Sequence, residues 1–428
     1  MARKYGNGDP HRNREALDAT KVHPEAEKLR DFLEARLIGQ PRIIKTIVEA
    51  YSFRLSGIQS NEEIDEPIVV VLELGPSGVG KTHVAELVAE FFNGSRKAMT
   101  KIKCANFQER HKIDQLLGAP AGYIGYANDT PLSRRMLEKY ALQKRYDLIQ
   151  KTDKRAAQLI EEMNKLQEQM DRIKDPRTKV VLEDQYDRKV DEFTAYVDRR
   201  VHEMPVHIVL LFDEIEKAHD TLFNFILEVA DKGTTTLSSG EEVDLRWAFI
   251  FETSNEGAKD IADKVKNLRG LGFVDTARHE ATSEDIYKIS IRAAEKKWSP
   301  EYLARHEVVV FHPLSSENNK KIFQINLDEC LAAIRKKGFL FELEMGDDVR
   351  EFIWGESSDH PAQGSRILRK KIRKYITGPI ANLIGSGQLT ADDRVLFVEL
   401  SAVEVEGPDR KDGKAGGKEK RKTLFFKG

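Results

Sequence analysis

Short apolar runs alternate with amphipathic stretches along the chain as far as residue 312. Four of these runs, at 68–74, 206–212, 247–253 and 308–311, have the length and the aliphatic and aromatic content of buried strands. The stretches between them carry apolar residues at helical spacing. This alternation predicts an α/β fold in which helices cover both faces of a doubly wound parallel sheet.

After Pro313 the pattern becomes mainly helical. Apolar positions recur at helical spacing over 315–336, 346–354 and 364–386, and a short strand pattern follows at 394–399. This change predicts a domain boundary just before Pro313 and a second, mainly helical C-terminal domain.

Residues 133–203 interrupt the α/β alternation with a charged segment that is nearly free of Gly and Pro. Apolar residues recur there at the alternating spacing of a coiled-coil seam. The seam residues are Ala156, Leu159, Met163, Leu166, Met170 and Ile173. Asp175–Pro176 breaks the pattern, which predicts an antiparallel helical hairpin. Two interpretations remain open: a self-contained structural hairpin, or a docking arm for a partner or substrate.

The predicted layout places a large α/β domain at 28–312, with the insertion inside it, and a small domain at 313–402. A flexible arm at 1–27 precedes them, and a disordered basic tail at 403–428 follows. The arm is polar with mixed charges and the tail is rich in Gly and Lys, so neither can bury a core of its own.

Charge and composition narrow the functional classes. The 428 residues include 69 Lys plus Arg and 71 Asp plus Glu, so no global basic field exists to attract nucleic acid or an anionic membrane. The two cysteines have no metal-ligand spacing, and the apolar runs are too short to cross a bilayer. We therefore expect a cytoplasmic protein with neither a membrane nor a nucleic acid as its partner.

A glycine-rich loop follows the first apolar run and fits the pattern G-x-x-x-x-G-K-[ST]. Its residues are Gly75, Pro76, Ser77, Gly78, Val79, Gly80, Lys81 and Thr82. In such a loop the backbone N–H groups and the start of the next helix face phosphate oxygens. Lys81 can reach the β- and γ-phosphates, and the Thr82 hydroxyl can ligate Mg²⁺. The loop predicts ATP and Mg²⁺ as cofactors.

Two carboxylates, Asp213 and Glu214, end the second apolar run. An acidic pair after a strand is often a helix cap. Together with a phosphate loop, the pair instead indicates phosphoryl-transfer chemistry. The first acid would hold Mg²⁺, and the second would polarise the attacking water.

Several longer motifs resemble those of Clp-type AAA+ ATPases. Residues 213–219, Asp-Glu-Ile-Glu-Lys-Ala-His, are similar to the family's acidic motif, and Ile38-Gly39-Gln40 resembles the segment beside the adenine. Residues 118–126, Gly-Ala-Pro-Ala-Gly-Tyr-Ile-Gly-Tyr, resemble the axial pore loop. The resemblance covers about 28–400 and is closest to the second ATPase module of ClpA, ClpB and ClpC with its small domain. The fold implied is a P-loop AAA+ domain with an inserted helical hairpin.

The resemblance also implies roles for single residues. Asn255, in Thr-Ser-Asn at the end of the third strand, matches the first sensor, which orients water near the γ-phosphate. Arg305 lies in a segment similar to the one that carries the arginine finger, although Ala304 stands where the family has Asn and the following residues are one shorter. Arg366, in Gly-Ser-Arg, matches the second sensor. Asp213 would coordinate Mg²⁺ and Glu214 would be the catalytic base.

Two further segments carry implied contacts with other proteins. Tyr123 and Ile124, flanked by glycines, would grip an extended polypeptide in the pore of a ring, which the family forms as a hexamer. A tripeptide with which ClpA and ClpC dock on a ClpP-like peptidase is similar to Leu271, Gly272 and Phe273. A small apolar turn without a docking role would have the same sequence, so both interpretations remain open.

The function implied is an ATP-dependent protein unfoldase or remodelling chaperone that threads polypeptide through a homo-oligomeric ring. It would act alone or as the regulatory ATPase of a ClpP-like peptidase. Two alternatives remain: a nucleotide-switched scaffold in which the hairpin is the working part, and a motor associated with secretion or nucleic acid.

Overall fold

The structure is a computed structural model of the chain. It describes residues 18, 20–58, 65–118, 130–173, 175–202, 205–261, 263, 276–358, 364–391, 393–406 and 418–427.

A five-stranded parallel sheet forms the centre of the large domain. The strands are β1 (Val69–Leu74), β2 (Thr100–Lys103), β3 (Ile208–Asp213), β6 (Ala248–Ser254) and β7 (Glu307–Val310), in the spatial order β2-β3-β6-β1-β7. A two-stranded antiparallel ribbon, β4 (Thr234–Thr236) and β5 (Glu242–Asp244), precedes β6 in the chain. The predicted α/β class and parallel sheet are confirmed.

Helices cover both faces of this sheet. On one face lie α1 (Pro24–Glu34), α2 (Pro41–Ser56) and α3 (Lys81–Asn93). On the other lie α4 (Arg110–Leu117), α8 (Asp220–Lys232) and α9 (Thr276–Lys297), followed by the short α10 (Pro300–Ala304). Side chains of each strand alternate between the two apolar cores, so every central strand is buried on both faces.

The structure of the large domain differs from the sequence pattern in two places. The predicted flexible arm at 1–27 ends earlier, because Pro24 begins α1 and Ala26 is buried. A second helix, α2, follows after the chain turns at Gly39. Strand β2 was not predicted because it lies at the edge of the sheet. Its sequence, Thr-Lys-Ile-Lys, buries only Ile102.

The insertion forms α5 (Arg134–Thr152), α6 (Lys154–Arg172) and α7 (Pro176–His202), of which α6 and α7 pair as the predicted hairpin. The additional helix α5 joins the hairpin to the large domain. Its buried Arg145 donates to the Val201 carbonyl of α7 at 2.8 Å, and its Lys144 donates to the Phe91 carbonyl of α3 at 2.5 Å. Asp153 caps α6 and accepts from Tyr196 at 3.0 Å. None of the helices in the described ranges has both the length and the apolar content that a membrane span needs.

In its described residues, the small domain packs four helices on a three-stranded sheet. The helices are α11 (Ser316–Arg335), α12 (Asp347–Ser358), α13 (Gly364–Ile372) and α14 (Gly378–Gly385), with one π turn (Arg373–Thr377) between the last two. The sheet order is β10-β9-β8, formed by Lys418–Lys427, Val395–Glu406 and Glu342–Met345. Apolar residues of both layers make a core separate from those of the large domain.

The predicted disordered tail over 403–428 differs from the structure at both of its described parts. Strand β9 continues to Glu406, and Lys418–Lys427 pairs antiparallel with β9 over its whole length. Leu424 and Phe426 face the core of the small domain, whereas Phe425 between them is 44% exposed. The basic start of the segment hides the alternation of apolar and polar positions at its end, which is what marks a strand.

The two phenylalanines of β10 test this pairing. Phe426→Ala should lower the free energy of opening β9 by about 2 kcal/mol, since it removes a partly buried ring from the core. Phe425→Ala should lower it by less than about 0.5 kcal/mol. Amide hydrogen exchange at Val395–Glu406 in the full chain measures both values. Equal effects, or no protection of Lys418–Lys427 in the parent protein, would contradict the strand assignment.

Candidate functional site

The glycine-rich loop lies at the carboxyl end of β1, where parallel α/β sheets bind their ligands. Gly75 has φ +138°, and a Cβ atom there would lie 2.5 Å from the Phe311 carbonyl oxygen, so only glycine fits. Gly80, with φ +113°, ends the loop and Lys81 begins α3. The free N–H groups and positive dipole end of α3 therefore point into the space that the loop surrounds.

Lys81 is buried beneath the loop. Its ammonium donates to the carbonyls of Gly75 at 2.5 Å and Pro76 at 2.7 Å, and to Oδ1 of Asn255 at 3.1 Å. Burial lowers the pKa of Lys81 to about 8, although the nearby Glu73 and Glu216 act in the opposite direction. The three oxygens that accept from the lysine are all neutral, so its charge is available to an anion that binds in the loop.

Asp213, at the end of β3, faces Thr82 across the cleft. The Thr82 hydroxyl lies 3.5 Å from Asp213 Oδ1, which also accepts from Thr253 at 2.8 Å, while Oδ2 pairs with Lys101 at 2.8 Å. Burial acts to raise the pKa of Asp213, but the hydrogen bonds from Lys101 and Thr253 outweigh it and hold that pKa below its usual value. An ionised carboxylate beside a hydroxyl is an oxygen-donor pair suited to Mg²⁺.

Glu214 has an unusual backbone. Its φ of +60° makes it the one non-glycine residue with positive φ in the described part of the chain. Its N–H donates to Thr253 Oγ1 at 3.1 Å, and its carboxylate pairs with Lys217 at 2.7 Å. Left-handed backbone at a bulky residue is strained and is found mainly at functional sites.

The cleft itself has a volume of about 290 Å³ and lies between the two domains. Ile38 lines it on the side of the large domain, and Arg366 and Arg369 line it from α13 of the small domain. The buried Gln40 fastens this entrance by donating to the carbonyls of Val79 and His312. Across the rim, Arg96 contacts Glu90 of α3 and Glu329 of α11, each at 2.7 Å, which links the two domains.

Most of the predicted site residues meet in this one cleft. Its lining includes Ile38, Ser77, Gly78, Val79, Gly80, Lys81, Thr82, Asp213, Glu214, Asn255 and Arg366. Gly75 and Pro76 form the loop floor through their carbonyls. Arg305 is not among the lining residues; it follows α10 and pairs with Asp231 of α8. Tyr123, Ile124 and the segment 271–273 lie outside the described residues.

Three residues near the cleft were not predicted from the sequence. Lys101 belongs to the missed edge strand, and Arg369 donates to Asn326 at 2.9 Å from a helix face that no motif marks. Glu73 is fully buried opposite Thr253, neither of its oxygens has a partner among the described residues, and burial raises its pKa well above the usual value. A lone carboxylate inside the apolar run 68–74 was the available signal for Glu73.

Comparisons with protein-family models agree with this geometry. Residues 66–141 and 138–309 match the model described as "AAA domain (Cdc48 subfamily)". Residues 314–397 match "C-terminal, D2-small domain, of ClpB protein". The boundary between the two matches falls where the large domain ends.

Individual relatives point the same way. The chain is 28% identical over 381 residues to the chaperone protein ClpB of Vibrio vulnificus (strain YJ016), covering 88% of this chain and 34% of that protein. It is 27% identical over 376 residues to the ATP-dependent Clp protease ATP-binding subunit ClpC of Staphylococcus aureus (strain USA300), covering 87% and 37%. The chain thus spans about a third of the length of these relatives.

A solved structure shares the fold. It is a closed-state cryo-EM reconstruction of Hsp104 with ATPγS and FITC casein. It superimposes with a TM-score of 0.57 at 22% identity, over 87% of this chain and 50% of that one. Since the family models match the large domain and the small domain in sequence order, the chain belongs to the AAA ATPase family, as a Clp-type AAA+ module with the small domain of the ClpB D2 kind.

Proposed function

We propose that this chain is an ATP-driven motor that unfolds or remodels other proteins. The observation that carries the proposal is the convergence of a buried lysine, an ionised aspartate and a strained glutamate on one cleft between two domains. Such a cleft suits a nucleoside triphosphate whose hydrolysis changes the angle between the domains.

Lys81 and the start of α3 would bind the phosphates. The lysine exchanges its carbonyl partners for phosphate oxygens, which favours its charged form, while the loop amides donate to the same anion. Thr82 and Asp213 would hold Mg²⁺, which neutralises charge on the β- and γ-phosphate oxygens. Arg366, opposite them on the small domain, would contact the γ-phosphate from across the cleft.

Glu214 would act as the base that takes a proton from the attacking water. Its strained backbone directs the carboxylate from the end of β3 into the cleft, and Lys217 shields its charge until water binds. The side-chain amide of Asn255, 3.1 Å from Lys81, would orient that water near the γ-phosphate.

Arg305 would complete the site of a neighbouring copy. It is not among the residues that line its own cleft, and it is half-buried against Asp231 on α8. Arg305 of one copy would reach the cleft of a second copy, and the cleft of the first copy would receive Arg305 of a third. Such a head-to-tail arrangement is heterologous, and it forms a ring when the rotation between copies closes. Six copies is the number that the family resemblance implies.

Protein chains are the proposed substrate class. ClpB relatives are named chaperones, and the similar Hsp104 reconstruction is of a complex with FITC casein. The Tyr123–Ile124 segment would contact an extended chain without reading its sequence. A peptidase partner that docks at 271–273 is a second proposal, favoured by the ClpC relative, whose name describes a protease subunit.

The pKa of Lys81 gives a pH test of phosphate binding. Below about pH 8 the lysine is charged and binds ATP directly; above it, binding requires proton uptake and affinity should fall by up to about tenfold per pH unit. Calorimetry from about pH 7.5 to about pH 9.5, in buffers of different ionisation enthalpy, measures both affinity and proton uptake. Lys81→Arg, which stays charged, should show no such slope. A flat profile for the parent protein would contradict the buried-lysine model.

Glu214→Gln tests the hydrolytic step. The change keeps shape but removes the base, so ATP turnover should fall by about a hundredfold or more while ATP affinity stays within about threefold. Glu242→Gln, an exposed site on β5, is the matched control and should turn over normally. Unchanged turnover in Glu214→Gln would exclude Glu214 as the base and leave the switched-scaffold alternative.

Tyr123→Ala separates remodelling from hydrolysis. Unfolding of a fluorescent protein with an unstructured tail should be lost, because the variant no longer has the aromatic contact, while basal ATP turnover continues. Tyr126→Ala, three positions along the same motif, is the control and should retain more unfolding. Equal unfolding by Tyr123→Ala and the parent would argue against a threading motor.

A further inference from the structure

Arg305 stands between two residues whose side chains bind the same carboxylate. The Tyr302 hydroxyl donates to Oε2 of Glu252 at 2.6 Å, and His306 Nε2 lies 3.1 Å from Oε1. The Arg305 N–H also donates to the Tyr302 carbonyl at 3.2 Å. The backbone of Arg305 is therefore fixed on both sides by one anchor, Glu252 of β6.

This anchor lies deep in the protein. Glu252 is 0% exposed, Tyr302 is 2% exposed and the His306 side chain is fully covered. A buried ion pair is rarely the most stabilising choice, because well-packed apolar residues of similar size often serve as well or better. A gain in stability alone therefore does not explain why a carboxylate, a tyrosine and a histidine occupy this part of the core.

The ring of His306 makes contacts at both of its nitrogens. Nε2 faces the Glu252 carboxylate and Nδ1 faces the Tyr302 carbonyl at 2.5 Å, so a ring that carries both protons can donate to each of these oxygens. Burial acts to lower the pKa of His306, but Glu252 and the Tyr302 carbonyl raise it above the usual value. The nearby Cys104 thiol has its own pKa raised by burial and adds no charge.

Aromatic packing adds rigidity to the same group. The Tyr302 ring stacks on His306 at 4.1 Å between centroids, and Phe223 of α8 meets Tyr302 edge-on at 5.5 Å. Trp298 lies nearly parallel to Tyr302, with ring centroids 6.3 Å apart and an interplanar angle of 13°. Rotation of α10 about its axis would break these contacts together with both hydrogen bonds to Glu252.

Strand β6 links this anchor to the cleft. Glu252 points to one face of the sheet, and Thr253 on the other face holds Asp213 and the N–H of Glu214. Asn255 follows the end of the strand and contacts Lys81. One strand thus positions the phosphate-side residues of its own cleft and the segment that carries Arg305.

We propose that Tyr302, Glu252 and His306 form a positioning cluster. This cluster fixes the direction in which the Arg305 side chain projects from the surface of the domain. The cluster rests on the proposed function of Arg305, namely contact with the nucleotide of a neighbouring copy. None of its three members is among the residues that line the cleft. Their effect on hydrolysis passes entirely through Arg305.

A double-mutant cycle on the full chain tests this dependence. Tyr302→Phe removes one oxygen without opening a cavity, and should lower kcat for ATP by about tenfold with KM and ATP affinity nearly unchanged, because only the Arg305 contact is misplaced. In an Arg305→Ala background the same change should have no further effect on kcat. His306→Ala removes the other side chain that contacts Glu252. It should likewise lower kcat in the parent protein and have no further effect in the Arg305→Ala background.

Tyr51→Phe is the matched control. Tyr51 is 5% exposed in the aromatic cluster on the opposite face of the sheet, so removing its hydroxyl tests buried-tyrosine changes in general and should leave kcat as in the parent. Melting temperatures of all variants fix an assay temperature at which each is folded.

The possible results are distinct. An unchanged kcat in Tyr302→Phe, or an equal loss with and without Arg305, would overturn the positioning cluster and leave these residues a purely structural role. Normal turnover by Arg305→Ala alone would instead overturn the proposed function of Arg305, whatever Tyr302→Phe does. A loss seen only when Arg305 is present supports the cluster.

Discussion

A buried ammonium group fixes the geometry of the cleft. Lys81 has three donors, and the structure gives it three neutral acceptors: two loop carbonyls and the Asn255 amide oxygen. These contacts hold the loop curled around the lysine and link it to Asn255, which follows the end of β6. An anion that enters the loop would accept hydrogen bonds from the same ammonium group in place of these oxygens. Ligand binding and the shape of the loop are therefore coupled through the hydrogen bonds of Lys81.

Strand β6 extends that constraint across the large domain. Its side chains alternate between the two cores until Glu252 and Thr253, where polar residues replace apolar ones. Thr253 then connects Asp213 with Glu214, and Glu252 holds the segment of α10. A strand buried on both faces is one of the least deformable parts of such a protein, which makes it a suitable support for groups on opposite sides of the sheet.

The sequence was sufficient for the central strands, the phosphate loop and the order of the domains. Buried parallel strands read as continuous apolar runs, and the loop needs glycine at fixed positions, so both leave local signals. The two partners of Glu252 have no local sequence signal. Tyr302 and His306 lie 50 and 54 positions away along the chain, and only the fold brings them into contact with Glu252. The edge strand β2 and the tail strand β10 were missed because each has one neighbour and a largely polar composition.

The pairing of β10 with β9 bears on how the protein can be shortened or fused. A chain that stops after Glu406 would leave the backbone amides and carbonyls along one side of β9 unpaired, from Phe397 onwards. Such an open edge is a template for pairing with another chain, and the apolar surface beneath Leu424 and Phe426 would be uncovered with it. Removal of a tail that looks dispensable by composition would therefore create a self-associating surface on the small domain.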